Sequence, residues 1–281
     1  MKPELLITTN GYKATWAGIE YGAWFAEAMG MKVTLLGVNE RFDSELMDDY
    51  YSLEDIFNRA GELFKQKGIE YSFEIQDGKV EDVIPEKANK SDFIIVVSPF
   101  GRSQIQRFFV GRSIRPLMER IKGPILYVPE VRLPLKKVLI GAGGLGYEVE
   151  AENLAFQVAA MSQAEVAILH VVPPTDLDYP TTRDVLDHLD DLAETDTLLG
   201  RSLRKALGVA KLAGLNAKAI SRQGNVVEEI LTEIKEGNYD LVCMGSPYSA
   251  PTLRQFFAPN VTAEVAVATP CPMLTARHVS A

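Results

Sequence analysis

Cysteine and histidine are scarce in this chain, with two cysteines and three histidines among 281 residues. Cys243 lies inside an apolar run and Cys271 sits between prolines, so neither has a neighbour at metal-binding or redox spacing. Both read as packing residues of a reducing compartment. His170 ends an apolar strand pattern, while His188 and His278 fall in a polar helix pattern and in the tail, so no Ser/His/Asp set is in view. A Gly-x-x-x-x-Gly-Lys-Ser/Thr phosphate loop is also missing. Nor is there a basic excess: the formal charge is −9. That argues against general nucleic-acid binding, which needs a basic face to neutralise phosphates. No apolar run approaches the roughly 20 residues of a membrane-crossing helix, and the first ten residues read as a strand and not as a signal peptide. A cytoplasmic protein with no membrane association is the expectation.

What is present is a repeat. Asp92-Phe-Ile-Ile-Val-Val-Ser-Pro-Phe returns as Asp240-Leu-Val-Cys-Met-Gly-Ser-Pro-Tyr, and Gly123-Pro-Ile-Leu as Cys271-Pro-Met-Leu, at one constant offset (240 − 92 = 148; 272 − 124 = 148). Duplication is the frame any function must fit. With 47% hydrophobic and 24% charged residues the chain has a globular composition, and its length suits two domains with separate cores. The expected division is 1–131 and 135–281, with Pro129–Pro134 as the seam.

Each half alternates strand and helix patterns. In the first, strands are expected at Leu5–Thr9, Met31–Val38, Glu70–Gln76, Phe93–Val97 and Pro124–Val128. Helices are expected from Trp16, over Leu53–Lys67, after Gly78, and over Ile105–Ile121 with Pro116 bending it. The second half repeats this order, including a long helix around Val185–Leu212. The uninterrupted run Phe93–Val97 suits a strand covered on both faces, as in a parallel sheet. Both halves therefore read as α/β, doubly wound and right-handed.

In such sheets ligands bind beyond the carboxyl ends of the strands, where strand order reverses, which here means the loops after strands one and four. Ser98-Pro-Phe-Gly101-Arg102-Ser103 and Gly111-Arg112-Ser113 supply glycines for close backbone approach, hydroxyls, and cations in an otherwise acidic chain. They point to a phosphate-bearing ligand; the plainer reading is turn glycines and a solvated basic helix. The counterpart Gly245-Ser246-Pro-Tyr-Ser249 with Pro259-Asn260 keeps hydroxyls and loses the cations. After its first strand the second half has Gly141-Ala-Gly143-Gly144-Leu-Gly146, which is either a tight turn or a backbone cradle. The acidic stretches Asp43–Asp55 and Asp184–Asp191 read as solvated helix faces rather than metal sites.

These motifs, together with Asn10-Gly11, Gly37-Val38, Leu169-His-Val171 and Gln223-Gly224, resemble the universal stress protein family, once in each half. The resemblance implies two tandem Rossmann-like domains of the adenine nucleotide alpha hydrolase-like type. Each would hold a five-stranded parallel sheet of order 3-2-1-4-5, the two domains pairing within one chain through their last strands. It also implies binding of ATP or another adenine nucleotide, with magnesium accompanying ATP. The carried-over site residues are Asn10, Gly11, Val38, Ser98, Gly101, Arg102, Gly111, Arg112 and Ser113, with a second candidate site at Gly143, Gly144, Val171, Gly245, Ser246 and Asn260. The chain departs from the family pattern where an aspartate follows strand one: Asn10 and Gly143 stand there instead. The implied role is a non-catalytic regulator in the stress response; the alternatives are a nucleotide-independent scaffold, whose chains could associate as a homodimer, and a weak nucleotide hydrolase.

Overall fold

The structure is a computed structural model and describes residues 4–40, 50–100, 114–143, 149–174, 188–246 and 261–277. It divides into two compact units, Met1–Val131 and Arg132–Ala281.

The first unit runs β1 (Glu4–Thr9), α1 (Trp16–Met29), β2 (Val33–Asn39), α2 (Leu53–Gln66), β3 (Tyr71–Asp77), α3 (Val80–Ala88), β4 (Phe93–Val97), α4 (Ile114–Arg120) and β5 (Ile125–Tyr127). All pairings are parallel, and neighbours follow the order β3-β2-β1-β4-β5. The central β1 is buried from Leu5 to Thr9 and β4 throughout, which is why both sequences are so apolar. Against them lies α1, whose Gly18 lets the helix approach so closely that a Cβ there would sit 2.5 Å from the Ser98 hydroxyl. Ser52 starts α2 by accepting the Asp55 amide at 3.0 Å. The buried face of α2, with Ile56, Phe57 and Phe64, then packs towards β2 and β3, and Phe57 stacks on Phe73 at 4.7 Å. Each such side chain contributes about 1.5–3 kcal/mol by leaving water.

The second unit runs β6 (Lys137–Gly141), α5 (Val149–Ser162), β7 (Glu165–Val172), α6 (Leu198–Leu212), β8 (Ala217–Gln223), α7 (Val226–Gly237), β9 (Leu241–Ser246), α8 (Val261–Ala268) and β10 (Met273–Arg277). Its parallel neighbours follow β8-β7-β6-β9-β10. The long helix expected from Val185 starts only at Leu198. Thr197 caps it by accepting the Gly200 amide at 3.0 Å, and the chain before it makes turns around a short 3-10 segment, Leu192–Glu194. The cap won over the apolar spacing of Leu189 and Leu192. The earlier part of the helix expected over Ile105–Ile121 lies outside the described residues.

An ionic hub holds α7 to β8. Arg222 on β8 meets Glu229 at 3.4 Å, Glu233 at 2.7 Å, and Glu236. The Tyr239 hydroxyl donates to Glu233 at 2.8 Å. Burial, and then its bond to Glu233, pushes the Tyr239 phenol up; for Arg222 burial acts downward, and the hydrogen bonds it donates to Glu236 and Glu233 outweigh this and raise it. Cys243 and Cys271 are both buried, and burial followed by proximity to Cys271 raises the Cys243 thiol. Among the described residues no helix is long and apolar enough to cross a membrane.

Candidate functional site

In the first unit β1 is flanked by β2 and β4, so the chain ends around Asn10 form the switch point of the sheet. Asn10 is 2% exposed. Its amide donates to Glu40 Oε2 at 2.9 Å, and its Oδ1 accepts the Tyr12 amide at 3.4 Å. Beneath it the Thr9 and Thr15 hydroxyls bond at 2.6 Å. Glu40 follows β2 and also accepts the Val80 amide at 3.2 Å through Oε1. This serves α3, whose N-cap residue Lys79 has no side-chain acceptor, so a carboxylate from another strand satisfies the helix start. Glu40, a residue that sequence reasoning missed, thus places a carboxylate beside position 10.

Gly11 has φ +90°, and a Cβ there would lie 2.3 Å from the Tyr50 ring and 2.8 Å from the Tyr51 carbonyl. The Tyr51 amide donates to the Gly11 carbonyl at 2.8 Å, and Tyr12 forms an antiparallel bridge with Tyr50. The glycine therefore serves a turn clasped by residues 50–51. Val38 is fully buried in β2, leaving its backbone as its contribution to a site. Ser98 is 1% exposed, its hydroxyl abuts Gly18 of α1, and that oxygen has no hydrogen-bond partner among the described residues. Gly101, Arg102, Gly111, Arg112 and Ser113 lie outside the described residues.

Beside this loop opens a cavity of about 740 Å3 lined by Tyr12, Trp16, Tyr51, Ile56, Arg59 and Val131 among others. The Arg59 guanidinium lies over the Trp16 ring, 3.7 Å from its centre. No sequence motif announced it, since its walls come from the loop after β1 with the start of α1, from Tyr51 with the start of α2, and from the segment after β5.

In the second unit Gly143 is exposed and Val171 buried. Between them His170, 9% exposed, donates from Nδ1 to the Ala142 carbonyl at 2.7 Å. The imidazole thus ties the end of β7 to the end of β6, a structural task. The Gly245 carbonyl accepts from Thr262 at 2.8 Å, and Ser246 ends β9. Gly144 and Asn260 lie outside the described residues. Among the described residues no group of three or more His, Cys, Asp or Glu could hold a metal ion.

Comparison with known proteins gives three findings. A model of the universal stress protein family matches residues 134–277, just over half of the chain. No curated protein matches. Among solved structures, the chain is similar to a universal stress protein from Archaeoglobus fulgidus DSM 4304 (16% identity, 99% of this chain and 97% of that one, TM-score 0.71). A functionally unknown protein from Pseudomonas aeruginosa PAO1 is similar at 12% identity, 97% and 92% coverage and TM-score 0.68. The cytoplasmic domain of a prokaryotic cation chloride cotransporter follows at 13% identity, 99% and 96% coverage and TM-score 0.50. At these identities the likenesses speak for the fold.

Proposed function

Because this chain belongs to the universal stress protein family, we propose that it is a tandem, non-catalytic regulator whose first unit binds an adenine nucleotide, ATP foremost. Residues 1–131 and 135–281 are taken as two universal-stress-type domains, each a five-stranded sheet of order 3-2-1-4-5, in a cytoplasmic stress-response protein. The observation that carries the nucleotide reading is the Asn10–Glu40 pair at the switch point, 2.9 Å apart. A carboxylate and an amide held there suit the hydroxyls of a ribose, and the Val38 backbone suits the base edge. Gly101, Gly111, Arg112 and Ser113 would take the phosphates, with magnesium accompanying ATP. The second candidate site, from Gly143 to Asn260, offers fewer charged partners and is assigned the supporting role.

The Tyr50–Tyr51 clasp on Gly11 favours a second reading, in which the clefts bind no nucleotide and the chain is an interaction scaffold. Fold alone does not separate them. Thermal shift with ATP, ADP, AMP and adenosine, with and without magnesium, does: stabilisation is expected with ATP, and no shift at millimolar ligand would sink the nucleotide reading. Arg112→Ala should weaken ATP more than adenosine, and equal loss for both removes the phosphate assignment. Phosphate release at the rate of buffer alone is expected, and enzymatic turnover would favour the hydrolase instead.

A further inference from the structure

We infer that the cavity beside Trp16 is a second ligand site of the first unit, separate from the Asn10–Glu40 position, and that it takes a small organic cation with an apolar body. Three aromatic residues line it, Tyr12, Trp16 and Tyr51, with Ile56, Pro129 and Val131 as apolar wall. Its volume, about 740 Å3, is that of a small-molecule site. Three carboxylates, Glu20, Asp55 and Glu130, face two cations, Lys13 and Arg59, so the lining has an acidic excess.

The structure contains its own precedent for such an occupant. Arg59 presents its guanidinium to the Trp16 ring at 3.7 Å, so a face of this cavity already receives a planar cation. Ring faces attract cations through their quadrupole, and neighbouring carboxylates add to that attraction and repel anions. Arg59 then acts as an internal competitor: it holds the Trp16 face and yields it when a ligand cation arrives. A site for an anion would use Arg59 in the opposite way, as its main partner. The sign of the effect of removing Arg59 therefore identifies the ligand class.

The test uses the full chain and three probes of similar shape: benzyltrimethylammonium, benzyl alcohol and benzoate. Binding is read by calorimetry and by Trp16 fluorescence in Trp24→Phe, since Trp16 and Trp24 are the two tryptophans of the chain. Saturable binding of the cation, about five-fold tighter than either other probe, is expected from one added cation–π contact. Arg59→Ala should tighten the cation by about three-fold and Glu130→Gln should weaken it by a similar factor. Adding millimolar ATP should leave this titration unchanged, which keeps its outcome apart from that of the nucleotide reading. Benzoate binding as well as the cation, a weaker cation in Arg59→Ala, or no saturation with any probe would overturn the inference. Arg59 and Glu130 are exposed, so both variants should keep the wild-type melting curve, and the affinities can be compared directly.

Discussion

Replacing Glu40 by glutamine tests the structural and the functional account of the switch point at once. The carboxylate accepts two donors, the Asn10 amide at 2.9 Å and the Val80 amide at 3.2 Å. Glutamine has one acceptor oxygen, so whichever way it turns, one of those donors faces an NH2 group. Asn10 is 2% exposed and cannot turn to water, so its loss of a partner costs about 1–3 kcal/mol. Loss of negative charge at the start of α3 adds about 0.3–1 kcal/mol. Because Glu40 is itself only half-buried, a total near 2 kcal/mol is expected. Urea unfolding reads the total, and hydrogen exchange at the Val80 amide reads the helix end, where protection should fall by about ten-fold. Adenosine and ATP should both weaken by about ten-fold, since the proposed contact is to the ribose and not the phosphates. A stability loss below ~0.5 kcal/mol with Val80 protection intact would refute the two-donor geometry. A full stability loss with unchanged nucleotide affinity would make Glu40 a helix cap and nothing more.

Three further perturbations follow from the same structure. Gly11→Ala forces a side chain into φ +90° and against the Tyr50 ring, and should cost about 2 kcal/mol in urea unfolding. Adding Tyr50→Ala should restore only part of this, because the Tyr51 carbonyl contact remains; full restoration would show that backbone strain plays no part. Glu233→Gln removes the charge shared by Arg222 and Tyr239, but Arg222 keeps Glu229 and Glu236, so the loss should be about 1–3 kcal/mol rather than the larger cost of an isolated buried charge. In that variant Tyr239 should ionise at lower pH, by difference spectroscopy against Tyr239→Phe; an unmoved titration would contradict the hub. The folded-state thiol of Cys243 lies above its ordinary value of 9.0, so its contribution is present below that pH and lost as pH rises. Stability should therefore fall above about pH 9, by up to about 1.4 kcal/mol per pH unit for one proton, and less steeply in Cys243→Ala. Equal slopes in both proteins would show that this thiol stays accessible when folded.

Periodicity located the strands because buried β-strands have little choice of residue: Phe93–Val97 could be read as covered on both faces, and is. The start of α6 was harder. Leu189 and Leu192 continue the apolar spacing of the helix, but the 3-10 turn at Leu192–Glu194 and the hydrogen bond from Gly200 to Thr197 set its start at Leu198. Asn10 was legible as an unusual residue after β1, but its partner was not. Glu40 is thirty residues away, and what brings them together is the β1–β2 register, which sets Thr9 opposite Gly37. A sequence signal did exist in the acid just past the end of a strand neighbouring β1, though it carries meaning only once the neighbour is known. Gly11 is carried over by the resemblance as a site residue, and the structure adds that the backbone of Tyr51 and the ring of Tyr50 lie against it. The cavity beside Trp16 has no sequence signature because its walls are assembled from three separate segments.

The bridge between Tyr12 and Tyr50, with the Tyr51 amide on the Gly11 carbonyl, also has a consequence in time. A ligand that needs the Gly11 backbone must wait for that isolated bridge to part. Its observed association rate should then rise with concentration at first and level off at the opening rate of the clasp. Departure would be slowed whenever the clasp recloses over an occupant. Under the proposed nucleotide reading, occupancy would then outlast a fall in free ligand.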